Sequence, residues 1–158
     1  QGVAWRAGTI EHVVGEYGGV VKAAAWLHDI GYATPLADSG FHPLDGARYL
    51  RDRGFGDREV WTLVAHHTCA QIEADERGLG EVLVAEFPIA DAAPSAVAAL
   101  TYCDMTTGPD GQPVDVEERI AEILTRYPAD HVVHRSIARA APGLRAQVAE
   151  VSALVGTA

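Results

Sequence analysis

Seven histidines lie along the chain: His12, His28, His42, His66, His67, His131 and His134. Four of them, with Asp29 and Asp104, stand within a turn or so of the ends of otherwise apolar stretches. His28-Asp29 closes the run from Val20 to Ile30, and His42 opens the next helical stretch. His66-His67 ends the one after, and Asp104 precedes the Thr106-Thr107-Gly108-Pro109 break. Neutral imidazole and carboxylate suit borderline and harder divalent metals. Several helix tips that each aim a ligand at one point are how a helical bundle builds a metal site. One carboxylate can also bridge two ions roughly 3.5–4 Å apart, which clamp the attacking and leaving oxygens of a displacement at phosphorus. Asp29 is the natural bridge and therefore the candidate catalytic residue. A lone histidine at a helix end is usually a solvated cap or a satisfied core residue. The doublet His66-His67, set behind Leu63, Val64 and Ala65, has little structural use. The specificity lies in the ordered set.

The elements that must position these residues are helices. No stretch alternates apolar and polar residues over six positions or more, so no sheet is expected, and the fold class is all-α. Val3 to about Gly15 has helical spacing, and Gly18-Gly19 is expected to break it. Val20 to Ile30 reads as a central buried helix stopped by Gly31. Pro43 to about Arg53 follows, ended by Gly54. Asp57 is a plausible N-cap for the helix carrying Val60 to His67. Shorter helices are expected over Gln71–Arg77 and Glu81–Phe87, and a longer one over Pro94–Met105. Asp115 with Glu118 has the spacing of a capping box opening Val116–Tyr127. His131–Ala140 and Leu144–Val155 are expected as two helices split by Pro142-Gly143. Thr106 to Pro113 is the one linker-like piece. Residues 1–158 read as a single compact helical domain.

Composition excludes some functions. The chain has 158 residues, 48% of them hydrophobic, enough for a buried core. Its 12 basic and 22 acidic residues give a net charge of −10. No basic stripe exists to neutralise a phosphate backbone or to hold a membrane surface, so neither a nucleic acid polymer nor a membrane is an expected partner. The longest strongly apolar run, Val20 to Leu27, is interrupted by Lys22 and too short to span a bilayer. No signal pattern opens the chain. Cys69 and Cys103 are too few for a disulfide framework, so reduced thiols and a cytoplasmic location are expected. The first residue is Gln1 rather than Met, so this sequence does not open at a translation start. Nothing in it specifies an oligomeric state.

Four pieces resemble a known family. Trp26-Leu27-His28-Asp29-Ile30-Gly31-Tyr32 is similar to the signature of the HD superfamily of metal-dependent phosphohydrolases. His42-Pro43-Leu44-Asp45-Gly46-Ala47 resembles the His-x-x-x-Gly element of members that hold two metals. Val64-Ala65-His66-His67 resembles their paired-histidine element, and Tyr102-Cys103-Asp104 their closing aspartate helix. The pieces occur in family order within residues 3–107, ahead of C-terminal helices over 115–157. The resemblance implies an all-α HD fold and one or two divalent ions, with Mn, Fe, Ni, Co, Zn and Mg all candidates. It further implies hydrolysis of a small, nucleotide-like phosphate ester by a metal-bound hydroxide. Carried over by position, His28, Asp29 and Asp104 would serve one ion, and Asp29 with His42, His66 and His67 a second. The alternatives are a di-iron oxygenase of the same fold and a non-catalytic HD domain with an incomplete site.

Three positions depart from the family pattern. The family begins with a histidine about 25–35 residues before the His-Asp pair, whereas His12 stands sixteen before His28. In an antiparallel hairpin turning near Tyr17, His12 would lie roughly 12 Å along the axis from the level of Asp29. The matching ligand is therefore expected just before Gln1. Tyr32 stands where many phosphodiesterase members carry lysine. Thr68-Cys69-Ala70 replaces the acidic and Gly-Tyr-Pro residues of the cyclic-dinucleotide branch, which disfavours that substrate.

The remaining polar and aromatic residues read mainly as structural. Arg48 and Arg51 read first as surface residues and second as phosphate holders; Lys22 is too far from the site. Gly46 is placed to permit close helix approach. Trp5, Trp26 and Trp61 read as core or core-edge residues, Cys103 as a small buried residue, and Cys69 as a weak ligand candidate. His131 and His134 read as surface or helix-terminal. Glu73, Asp75, Glu76 and Glu81 read as a solvated acidic patch away from the mouth of the site.

Overall fold

The computed structural model describes residues 1–157. Among them the regular structure is helical, and the only extended pairing is an isolated bridge between Thr107 and Pro113. The helices are α1 (Gly2–Thr9), α2 (Glu11–Val14), α3 (Gly18–Leu27), α4 (His42–Arg53) and α5 (Arg58–His66), then α6 (Ala70–Glu76), α7 (Gly80–Glu86), α8 (Pro94–Met105), α9 (Val116–Arg126) and α10 (Val132–Val155).

The helix buried on nearly every side is α8, not α3. From Ala96 to Met105 only Val97 and Asp104 are other than fully buried, and α8 packs against α1, α3, α5, α9 and α10. Its small residues (Ala96, Ala98, Ala99) let neighbours approach from all sides. Lys22 and Trp26, one turn apart on α3, mark the side of that helix left in solvent. Trp5 and Trp26 are 64% and 56% exposed, so two of the three tryptophans lie outside the core. Trp61 packs at its edge.

Two boundaries differ from expectation for clear reasons. Gly18-Gly19 begins α3 rather than separating two helices, because the break falls earlier, at Ile10 and in the 3-10 turn Gly15–Tyr17. α10 runs unbroken through Pro142. Proline there frees the carbonyl of Ala138; both residues are exposed, so water can take that bond, while Ala141, Leu144 and Val148 keep the helix on the core.

Other expectations hold closely. α8 has the expected bounds, and the Asp115–Glu118 capping box starts α9. Asp57 caps α5 by accepting from the Val60 amide at 3.0 Å. The segment between α8 and α9 is tied down rather than a loose linker. Arg6 Nε donates to Thr106 Oγ1 at 3.0 Å, Val114 N to the Thr106 carbonyl at 3.1 Å, and Gly108 N to the Gln112 carbonyl at 2.8 Å. Among the described residues no single helix is long and apolar enough to cross a membrane.

Candidate metal centre

Five of the six expected ligands converge at the ends of four helical segments. Past α3, His28 still has helical dihedrals, Asp29 leaves them, and a 3-10 turn, Ile30–Tyr32, follows. That turn lies against the start of α4: the two backbones meet at Gly31 and Gly46, where a β-carbon on Gly31 would sit 2.0 Å from the His42 carbonyl oxygen. The lack of a side chain at residue 31 is what brings His42 beside the 28–29 pair. Asp45, buried on α4, anchors the loop leading in by accepting from the Asp38 and Ser39 amides at 3.0 Å and from Ser39 Oγ at 2.7 Å.

The paired histidines diverge. α5 ends at His66, and His67 turns extended, at φ −57° and ψ 148°. Thr68 (φ 53°) and Cys69 (φ 58°) are then both left-handed. That conformation costs roughly 1–2 kcal/mol for each L-residue. It points Thr68 Oγ1 at Asp104 Oδ2, to which it donates a short hydrogen bond. His67 turns inward. His66 does not: its Nε2 donates to the Phe87 carbonyl at 2.7 Å, holding α5 to the end of α7. The structure therefore leaves His66, expected among the ligands, outside the cluster of donor atoms. Neighbouring helical side chains point about 100° apart, and only one of this doublet faces Asp29.

The donor atoms are closely grouped. His42 Nε2 lies 3.4 Å from Asp29 Oδ1 and 3.2 Å from His67 Nε2, and His67 Nε2 lies 4.0 Å from Asp29 Oδ1. On the other side, His28 Nε2 is 3.3 Å from Asp29 Oδ2 and 3.6 Å from Asp104 Oδ1. Bonds from zinc-like ions to nitrogen or oxygen run about 2.0–2.2 Å, so two ligands of one ion stand no more than about 4.4 Å apart. Asp29, His42 and His67 satisfy that limit together, a triad whose donor atoms are grouped closely enough to hold one metal ion. His28 Nδ1 and His67 Nδ1 are bonded to the carbonyls of Ala25 (3.0 Å) and Val64 (2.7 Å), an arrangement that turns each Nε2 inward.

The electrostatics match a site built for a cation. Burial works against a charge on His28, but the carboxylates of Asp104 and Asp29 overcome it and push its pKa up to about 10. Burial of His67, reinforced by His28 and His42, drops it to about 4, so it stays neutral. Burial would raise both carboxyls, yet contact with His28 holds Asp104 down at about 2 and Asp29 well below the carboxylate range.

A cavity of about 360 Å³ opens on this cluster. That is at the low end for small-molecule sites. Asp29, His42, His67 and Asp104 line one end. Arg119, Ile123 and Arg126 from α9, Tyr127 just past its end, and Val133, Ser136, Ile137 and Ala140 from α10 line the cavity as well. Sequence reasoning missed this second wall. Its only signal was two arginines seven apart on an amphipathic helix, on the same side as Ile123. Arg48 and Arg51, the earlier candidates, are both bound to Glu86, at 2.5 and 2.8 Å. Glu73, expected away from the mouth, lines the cavity with its charge met by Arg77 at 2.6 Å. Cys69 lines it too but is not part of the triad, and burial raises its thiol pKa. Burial pushes the Cys103 thiol up to about 12. His12 is exposed on α2, outside the cluster, and His131 caps α10.

Residues 2–130 match the HD domain family. The chain belongs to that family. HD domains are generally metal-dependent phosphohydrolases that bind divalent metals. Comparison with curated proteins and with solved structures finds no match. The part of α10 that lines the cavity lies beyond the matched residues, so this HD domain completes its pocket with chain outside the family match.

Proposed function

We propose that this HD domain is a phosphohydrolase that cleaves a small, nucleotide-like phosphate ester with one or two divalent ions. The observation that carries the reading is Asp29 standing between two groups of donors. Its Oδ1 faces His42 and His67, and its Oδ2 faces His28, with Asp104 just beyond. A carboxylate so placed suits a bridge between two ions, one held by His28 and Asp104, the other by His42 and His67. A bound divalent ion supplies Lewis acidity toward a phosphoryl oxygen and makes a water acidic enough to attack near neutral pH.

The protein's own groups do the rest. His28 and His67, with Nδ1 engaged by backbone, present Nε2 without reorganising. Thr68 fixes Asp104 in one rotamer. Tyr32, stacked on the His42 ring at 3.9 Å, covers that ligand from solvent.

The test is reconstitution of chelator-treated protein with Mn, Fe, Co, Ni, Zn or Mg, followed by assay against p-nitrophenyl phosphate and nucleoside monophosphates. Turnover with at least one metal, abolished in Asp29→Asn and His67→Ala variants that still fold, is expected. A folded protein inert with every metal would overturn the reading and favour the non-catalytic alternative.

A further inference from the structure

The part of the cavity wall built by α9 and α10 has its own chemistry. Arg119, Ile123 and Arg126 share one face of α9, at spacings that follow the helical turn, and Tyr127 follows at the end of the helix. Glu122 joins the two arginines: its Oε2 accepts from Arg119 Nη1 at 2.7 Å, and its Oε1 from Arg126 Nε at 2.9 Å and Nη2 at 2.5 Å. Two guanidiniums thus share one carboxylate, and Glu122 does not line the cavity, so the wall presents excess positive charge to it.

Two polar atoms in this wall are buried without a partner, Arg119 Nε and Ser136 Oγ, and Ser136 is only 3% exposed. Orphaned buried polar atoms are rare in folded proteins. A guanidinium nitrogen only donates, so what completes Arg119 is an acceptor oxygen. Ile123, Ile137 and Ala140 supply the apolar surface beside these groups.

We propose that Arg119 and Arg126, held in place by Glu122, form an oxyanion subsite that takes a second negatively charged group of the substrate, remote from the phosphoryl at the metal end. The substrate class is then a small phosphate ester whose apolar or planar body carries another phosphate or carboxylate. The role of the far end as the reacting end rests on the hydrolase reading; anion binding by the arginines does not.

The experiment has two arms. Inorganic phosphate is titrated by calorimetry into the chelator-treated full chain. Arg119→Gln and Arg126→Gln are each expected to weaken binding about tenfold or more, the scale of a charge-assisted bond, with Arg53→Gln, exposed and outside the cavity, unchanged. Circular dichroism and thermal melts establish that the variants fold, and Ser136→Ala tests the same wall without removing charge, with a smaller loss expected. Phosphate binding that both arginine variants leave untouched overturns the proposal.

In the second arm the metal-loaded protein is assayed with phenyl phosphate and 4-carboxyphenyl phosphate. The arginine variants are expected to lose at least about tenfold in kcat/KM on the carboxylated ester and to stay within about twofold on the plain one. Equal losses on both esters also overturn the proposal. If the wild-type protein turns over neither ester with any metal, the hydrolase reading falls, and the first arm alone decides the subsite.

Discussion

The backbone of Gly31 touches the backbone of His42 so closely that a β-carbon on the glycine would lie 2.0 Å from the histidine carbonyl oxygen and 2.8 Å from the Gly46 amide nitrogen. Neither obstacle is a movable side chain. Gly31→Ala must therefore push the start of α4 away from the 28–29 pair. We expect at least ~1–3 kcal/mol of lost stability, the scale of overpacking, and a metal affinity reduced by more than the global destabilisation explains. Urea denaturation with a parallel metal titration measures both. Gly46→Ala, whose β-carbon would meet Gly31 N at 3.1 Å, should cost less; an equal or larger cost would contradict the geometry.

Thr68 and Cys69 divide strain and function between them. Cys69 accepts no ligand role that glycine would forfeit, so Cys69→Gly should release left-handed strain and be neutral to stabilising by up to ~1 kcal/mol, offset in part by glycine's greater freedom in the unfolded chain. Thr68→Val keeps the shape but removes the hydrogen bond to Asp104. Loss of an outer-shell partner typically lowers metal affinity ~10–100-fold, and a drop at the lower end is expected here. Thermal melts and competition with a chromophoric chelator measure the two effects.

Metal uptake should release a proton from His28. In the metal-free protein its pKa is raised from 6.5 to about 10, so the imidazolium persists across the pH range between those values. A metal must displace that proton to reach Nε2. Affinity is therefore expected to rise with pH through this window, by up to about tenfold per unit, and to level off above about 10. The same shift means that His28 stabilises the metal-free fold fully below 6.5 and that this contribution is lost as pH rises through about 10. His67, at about 4, is already neutral in this range and releases nothing. Calorimetry in two buffers of different ionisation enthalpy counts the protons; a count of zero at pH 7 would sink this account.

His66 and His67 should separate cleanly by measurement. His66→Ala leaves the Phe87 carbonyl without its partner and opens a gap between α5 and α7. A stability loss of ~1–3 kcal/mol is expected, with metal affinity and metal stoichiometry unchanged. His67→Ala should do the reverse, removing one ligand from the triad at smaller cost to the fold. If His66→Ala abolishes metal binding in a protein that melts normally, His66 is a ligand after all.

Much of this was legible because chemistry and helix ends coincide. Residues 28–29, 42, 67 and 104 all stand where an apolar helix begins or ends, and such positions point toward a common end of a bundle. The choice between His66 and His67 was not legible, since residue type does not reveal where a helix stops and His67 swings out of the helical path. Glu73 read as solvated because its charge is cancelled by Arg77, four residues on, a pairing compatible with either a surface or a pocket. Trp5 and Trp26 read as core because tryptophan usually is; the stripe of Ala4, Ala7, Ala24 and Ala25 between α1 and α3 took that place. The arginines of α9 were hidden because their helix follows the motifs, and only folding turns it back across the site.

All the clustered metal-binding candidates precede residue 105, and both pocket arginines follow residue 115. What joins them is the segment from Thr106 to Asp115, pinned to α1 through Arg6 and closed on itself by the Thr107–Pro113 bridge. It works as a shim. It joins the end of α8, beside Asp104, to the start of α9, which carries both arginines. Inserting or removing a residue there is expected to shift the arginines of α9 against the histidines and aspartates of the cluster while leaving both sets of side chains intact, so the two halves of the cavity can be moved relative to each other without altering either.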